Sequence, residues 1–181
     1  MSKPAKQEPL KWLAHVESMC VKHAHGLPQQ KITEKEWVGI GFRIGDVQLV
    51  SSLGEIVEIL TPPELSEVPR TKHWVWGVAN VRGNLLPVMD LQGYLKDIPS
   101  KITRNSRILV VNDNGVYSGL VVDAVLGLQH FKKEFRCKEL PGDDKQMQGY
   151  MTHSFKMGSE HWGVFNMHKL IHTPQFIEAA V

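Results

Sequence analysis

The chain has 181 residues, 42% of them apolar and 22% charged, with a formal net charge of +2. That suffices for one core, or for two small lobes sharing one, while the near-balance of charge argues against a nucleic-acid or membrane-surface protein. No segment approaches the roughly 20 apolar residues of a membrane-spanning helix.

The N-terminal MSKPAKQEPLKW has lysines but no apolar run behind them, so no secretory signal is read there and a cytosolic chain is expected. Cys20 and Cys137 lie far apart with no C-x2-C spacing, which favours reduced thiols over a disulfide framework. Leu10, Trp12, Leu13, Val16, Met19 and Cys20 recur at helical spacing and predict an amphipathic helix over 9–24. Gly26 and Pro28 then break the pattern. The expected organisation is a helical extension with its linker over 1–35, a main domain over 36–175 and a tail over 176–181.

From Trp37 the period changes to two. Val38, Ile40, Phe42 and Ile44 alternate as in a half-buried strand, Gly45-Asp46 turns the chain, and VQLVSSL returns as a second strand. EIVEIL, rich in β-branched residues, ends at Thr61-Pro62-Pro63, and the polar stretch 64–73 is expected as a loop or short helix. VWGVANV and LLPVMDL flank Arg82-Gly83-Asn84 as a hairpin in which Gly83 suits a positive φ. Asp90 is placed to cap a helical turn in LQGYL.

RILVVNDNGVYSGLVVDAVLGLQHF reads as strand, turn, strand and a further strand, with Asn114-Gly115 a strong hairpin signal. The polar stretch 132–148, with Pro141-Gly142, is expected as a long loop. YMTHSFKM and HWGVFNM form another hairpin around Gly158-Ser159, and HKLIHT a short helix starting near Met167. The chain is therefore mostly β with a helix at each end, and such a series of strands closes into barrels or sandwiches.

Catalytic and metal chemistry find little support. Cys20, His23 and His25 lie close together, and His168 and His172 are four apart on a predicted helix, but no matched second pair completes a zinc spacing, so no metal is expected. Ser51, Ser52 and Ser118 lack a GxSxG context. Asp90 and Asp123 suit a helix cap and a strand-end hydrogen bond better than a catalytic carboxylate pair. No GxGxxG or GxxxxGK[ST] loop occurs, and no cofactor is expected. FKKEFRCKEL mixes Lys132, Lys133, Arg136 and Lys138 with two phenylalanines, which leaves a small nucleic-acid-binding β-barrel as the alternative; Glu134 and Glu139 dilute its charge. A non-enzymatic protein-binding module remains.

GVANVRGNLLPVMDL resembles the signature hairpin of the CheW-like domain, G-V-x-N-x-R-G running into apolar-Pro-apolar-x-Asp-Leu. FRIGDVQLVSSLGEIVEIL before it, and RILVV, GLVVDAVLGL and HWGVFNMHKLI after it, follow in the family's order, so the resemblance spans Trp37 to His172. Trp74 to Trp76 and ANVRGNLLPVMDL look like the PilI-type adaptors of chemosensory systems that control type IV pili and twitching. The resemblance implies two intertwined five-stranded, SH3-like β-barrel lobes sharing a hydrophobic seam, with no catalysis. It implies an adaptor coupling the cytoplasmic tip of a methyl-accepting chemoreceptor to a CheA-type histidine kinase, whose own CheW-like domain it contacts lobe to lobe. Membrane association is implied only through partners.

Residue by residue, the resemblance places Ile56, Glu58 and Ile59 on the kinase-facing side, with Ile56 and Ile59 as barrel core the plainer alternative. It places Asn80, Arg82, Gly83 and Leu128 on the receptor-facing groove, and Gly77 as a structural turn residue. A bland role for Arg82, bonding carbonyls of the neighbouring lobe, stands beside the docking role. Asn166 stands where many members have aspartate, and 131–149 matches weakly.

Overall fold

A computed structural model describes Met19 and residues 36–179. The helix predicted over 9–24 and its linker lie outside the described residues, Met19 excepted. Two units are distinguished, Met1–Glu34 and Lys35–Val181, and all the elements named here belong to the second.

Alternating residues build the strands as the period predicted. β1 (Glu36–Ile44) pairs antiparallel with β2 (Val47–Ser52) through a tight turn in which Gly45 takes φ +57°. A 3-10 turn, Leu53–Glu55, leads to β3 (Glu58–Leu60). β4 (Val75–Val81) and β5 (Asn84–Asp90) form the signature hairpin, and α1 (Leu91–Lys96) follows at once, capped by the Asp90 carboxylate, which accepts from the Gly93 N–H at 3.0 Å. β6 (Arg107–Asp113) turns at Asn114 and Gly115, with φ +49° and +86°, into β7 (Val116–Val122), and β8 (Ala124–Lys132) continues.

The predicted loop 132–148 is only partly irregular. It holds a 3-10 turn (Lys133–Phe135), the two-residue β9 (Arg136–Cys137) and α2 (Lys145–Gly149), capped by Asp144. The short β9 has no period to detect, and α2 is anchored by a single apolar side chain, the buried Met147. β10 (Met151–Met157), β11 (Glu160–Phe165), α3 (Met167–Ile171) and α4 (Pro174–Ile177) complete the chain.

Two sheets result. One has six strands in the order β8-β1-β2-β11-β10-β9, the other five in the order β3-β6-β7-β5-β4. The first lobe thus has one strand beyond the expected five. The chain enters the six-stranded sheet, builds the whole five-stranded one and returns, so the lobes are intertwined in sequence. The parallel pairs β2·β11 and β5·β7 make those long returns necessary.

Both sheets curl. Phe131 on β8 stacks on Phe155 of β10 with centroids 4.5 Å apart and planes 8° apart, although three strands separate β8 from β10 in the sheet. In the other sheet, Glu58 on β3 bonds Arg82 beyond the end of β4, joining opposite edges. Each curl encloses its own core, Val50, Phe131, Phe155, Trp162 and Val164 in one lobe and Leu86, Val88, Ile108, Val110 and Val121 in the other. Alternate residues of the same strands, among them Phe42, Leu49, Leu109, Val111, Leu120 and Phe165, face a larger third core between the sheets. Met167, Leu170, Ile171 and Phe176 of the terminal helices complete this seam.

Gly77 sits at a β-bulge inside β4, where a turn was expected. Its φ is +137°, and the Ser66 backbone, bridged to Val78, lies so close that any Cβ would collide with the Ser66 carbonyl. Gly83 also has positive φ, +86°, but nothing surrounds its missing Cβ. Gly83→Ala should therefore lose about 1 kcal/mol of stability from backbone conformation alone. Gly77→Ala should lose more, about 2 kcal/mol or above, because the Ser66 segment must also move. Urea midpoints of the two variants check the order.

His168 Nδ1, in α3, and His172 Nε2, one turn later at its C-terminal end, both donate to Asp113 Oδ2, at 2.7 and 2.8 Å. These hydrogen bonds, that from His168 foremost, hold the Asp113 carboxyl below its usual range. A carboxyl depressed in the folded state stabilises the fold above its unfolded pKa, and that contribution disappears as pH falls through the folded value. Asp113→Asn should accordingly flatten the acid side of the stability profile, and thermal melts of both proteins across that pH range show it. Parallel profiles would deny the His–Asp–His cluster any part in acid stability.

Candidate docking surface

The β4–β5 turn holds two successive residues at positive φ, Arg82 at +52° and Gly83 at +86°, the pattern of a two-residue hairpin turn. Asn80 Oδ1 accepts the Gly83 N–H at 2.9 Å and locks the loop, while Asn80 itself stays exposed. Arginine is an unusual occupant of the left-handed region, and this conformation throws its side chain outward across the sheet edge. The guanidinium Nη2 donates to Glu58 Oε1 at 2.6 Å; Arg82 is 79% exposed and Glu58 23%.

Two residues that the sequence assigned to separate faces therefore form one ion pair. Its partners are 24 positions apart, so no local spacing announced it. Coulomb attraction across a wet surface is weak, but Glu58 is mostly covered, and the pair leaves other guanidinium donors open to solvent.

Apolar residues adjoin these positions in sequence or across the hairpin. Ile56 is buried in the seam, which removes it from any surface a partner can touch, whereas Ile59 is exposed. Val57, alternating with Glu58, is exposed too, and Leu85, directly opposite Asn80 in the hairpin, is 70% exposed. The sequence reading passed over Val57 and Leu85. A signal existed for Leu85: adjacent Leu85 and Leu86 cannot both face inward in a strand, and Leu86 is fully buried.

Leu128 stands on β8 of the six-stranded sheet, paired with Ile40, exposed and beside exposed Leu126. Among the described residues no hydrogen bond or ion pair joins it to the Arg82 turn. Clefts open elsewhere: one between Arg43, Val47, Pro141 and His161, one beside Leu65 and Trp76, one between Arg43, Ile98 and Lys101. Arg82 lines none of these three, and its side chain is largely open to solvent.

Other chemistry does not converge. Asp90 is buried and spent on Gly93 and on Ser100, whose N–H and hydroxyl reach it at 2.7 and 2.5 Å. Asp123 accepts the Gly45 N–H at 2.6 Å. No group of three or more His, Cys, Asp or Glu able to hold a metal ion occurs among the described residues. In the basic stretch, Lys132 faces Glu134 at 3.8 Å and Glu139 faces Lys156 at 3.4 Å, so its charge is partly cancelled.

The profile of the CheW-like domain matches residues 38–175, which contain every residue of this surface. The chain is 39% identical to Protein PilI of Pseudomonas aeruginosa over 175 residues, covering 97% of this chain and 98% of that one. It is 33% identical to the chemotaxis protein CheW of Helicobacter pylori over 102 residues, 56% of this chain and 62% of that protein. The crystal structure of the scaffolding protein TtCheW from Thermoanaerobacter tengcongensis superposes with a TM-score of 0.64 at 20% identity, over 77% of this chain and 94% of that one.

A double-mutant cycle on Arg82→Ala and Glu58→Ala should give a coupling of about 0.2–1 kcal/mol that shrinks in high salt, as for an exposed pair. A coupling several times larger and insensitive to salt would make the pair a structural clamp.

Proposed function

Because the chain belongs to the CheW-like domain family, whose members are scaffold adaptors of chemosensory systems and not enzymes, we propose that it couples a methyl-accepting chemoreceptor to a CheA-type histidine kinase. Likeness to PilI over nearly the whole chain favours the chemosensory system that governs type IV pili and twitching. No helix among the described residues is long and apolar enough to cross a membrane, and on this reading the receptor brings the protein to one.

The observation that carries the proposal is the exposed Arg82–Glu58 pair, in a lobe whose strands also leave Ile59 and Leu85 exposed. Docking to a helical receptor tip needs apolar area for affinity and a few charges for register. A guanidinium with donors left over supplies planar, multi-point recognition of a carboxylate or of carbonyls at a helix end. Glu58 holds that group in place beforehand, which lowers the entropy lost on binding. Ile59 and Glu58 on β3 serve the kinase side, and Leu128 on β8 the receptor side. Individual contacts of this size are weak, and array assembly multiplies them.

Co-purification with receptor-tip and kinase fragments, separately and together, tests this. Arg82→Glu should weaken receptor capture about tenfold, with the thermal midpoint nearly unchanged. Glu58→Lys should weaken kinase capture more than receptor capture. The double swap restores opposite charges at the turn, yet leaves receptor capture weak, because the guanidinium is gone. A folded Arg82→Glu protein that captures the receptor fragment undiminished overturns the assignment.

A further inference from the structure

The loop 97–106, between α1 and β6, has no regular structure yet is pinned at several points. Ser100 is tied by its N–H and its hydroxyl to the buried Asp90 carboxylate. The Thr103 N–H donates to the hydroxyl of buried Ser106 at 2.9 Å, and Arg107 Nη1 donates to the carbonyls of Arg104 and Ser106 at 2.8 and 2.7 Å. A loop held this firmly presents its outward side chains without further ordering. Two of them are isoleucines in water, Ile98 at 55% and Ile102 at 57% exposure, on either side of Lys101.

Ile98, Pro99 and Lys101 line a cleft together with Arg43, near the end of β1. The cleft therefore lies where the two sheets meet. No ion pair engages Arg43 or Lys101 among the described residues, and the Lys96 ammonium stands close to neighbouring Gly45. Asp123 lines the same cleft and accepts the Gly45 N–H, which leaves two cations against one carboxylate there, and neighbouring Asp97 pairs with His73 at 2.8 Å. Unpaired cations beside exposed, pre-ordered apolar groups call for a ligand that carries carboxylates next to an apolar side chain.

We propose that this cleft docks an acidic, leucine-type segment of a partner protein, its carboxylates on Arg43 and Lys101 and its apolar side chain on Ile98 and Pro99. This surface is separate from the Arg82 turn and does not rest on the receptor and kinase assignments. An anionic bilayer is the poorer fit, since surface recruitment takes clusters of about 4–8 basic residues. A nucleic acid lacks its stacking platform, because no aromatic ring lines the cleft.

Fluorescence anisotropy of a labelled peptide of alternating glutamate and leucine, titrated with the full chain, tests the proposal. Binding should saturate, weaken with salt, and fall about fivefold in Lys101→Glu and in Ile98→Ser. Lys138→Glu, the same charge change on an exposed residue of another segment, should leave it within about twofold. Lys101→Ala, with its thermal midpoint, separates lost contact from lost folding. Absence of saturable binding, or equal loss in Lys138→Glu, overturns the proposal. So does equal affinity for polyglutamate with Ile98→Ser silent, which would mean diffuse electrostatics only. Sedimentation with phosphatidylserine vesicles that Lys101→Glu abolishes, without peptide binding, would overturn it in favour of a membrane surface.

Discussion

The seam between the two sheets is the constraint on which the molecule depends. β6 shows it most plainly, because four consecutive residues, Ile108, Leu109, Val110 and Val111, are all without exposure. Ile108 and Val110 face the lobe interior, while Leu109 and Val111 face the seam. Each such side chain contributes about 1.5–3 kcal/mol on burial, whereas a surface ion pair contributes about 0.2–1. Stability therefore lies in the layered apolar cores, and the polar rim can be shaped for contact with little loss to the fold. The terminal helices follow the same logic, delivering Leu170, Ile171 and Phe176 to the seam and not forming a separate layer.

Burial on both faces also explains why the chain threads back. The six-stranded sheet needs β8 to cover β1, and β10 and β11 to extend beyond β2, so five strands of the other lobe are inserted between its halves. The five-stranded lobe is thus inserted whole between the two parts of the six-stranded one, and separating the lobes would expose the seam they share. A rigid block with two curled sheets then exposes turns and loops whose positions are set by the cores beneath them, which is where binding residues belong.

Two such places share one device, a carboxylate that holds a surface element in position. Glu58, mostly covered, receives the Arg82 guanidinium from a turn whose backbone is locked by Asn80. Asp90, fully buried at the end of β5, caps α1 and fastens Ser100, so the loop carrying Ile98 is fixed to the same strand that leaves the Arg82 hairpin. A left-handed arginine is disfavoured by roughly 1–2 kcal/mol, comparable with the bonds that retain it, so the turn is held by a balance of small terms.

By itself the sequence determined what depends on neighbours within a few positions. The period of two located most strands, Asn114-Gly115 located a turn, Asp90 capped α1 as its place predicted, and the signature hairpin identified the family. Tertiary structure alone decided that Ile56 faces the seam while Ile59 and Leu85 face water, that Gly77 is a bulge pressed on Ser66, and that 132–148 holds a strand and a helix. It also decided that Glu58 meets Arg82, since that contact exists only when the sheet curls and brings opposite edges together. Alternation reports that a strand has two faces, but which face is covered, and by what, is settled by residues far along the chain.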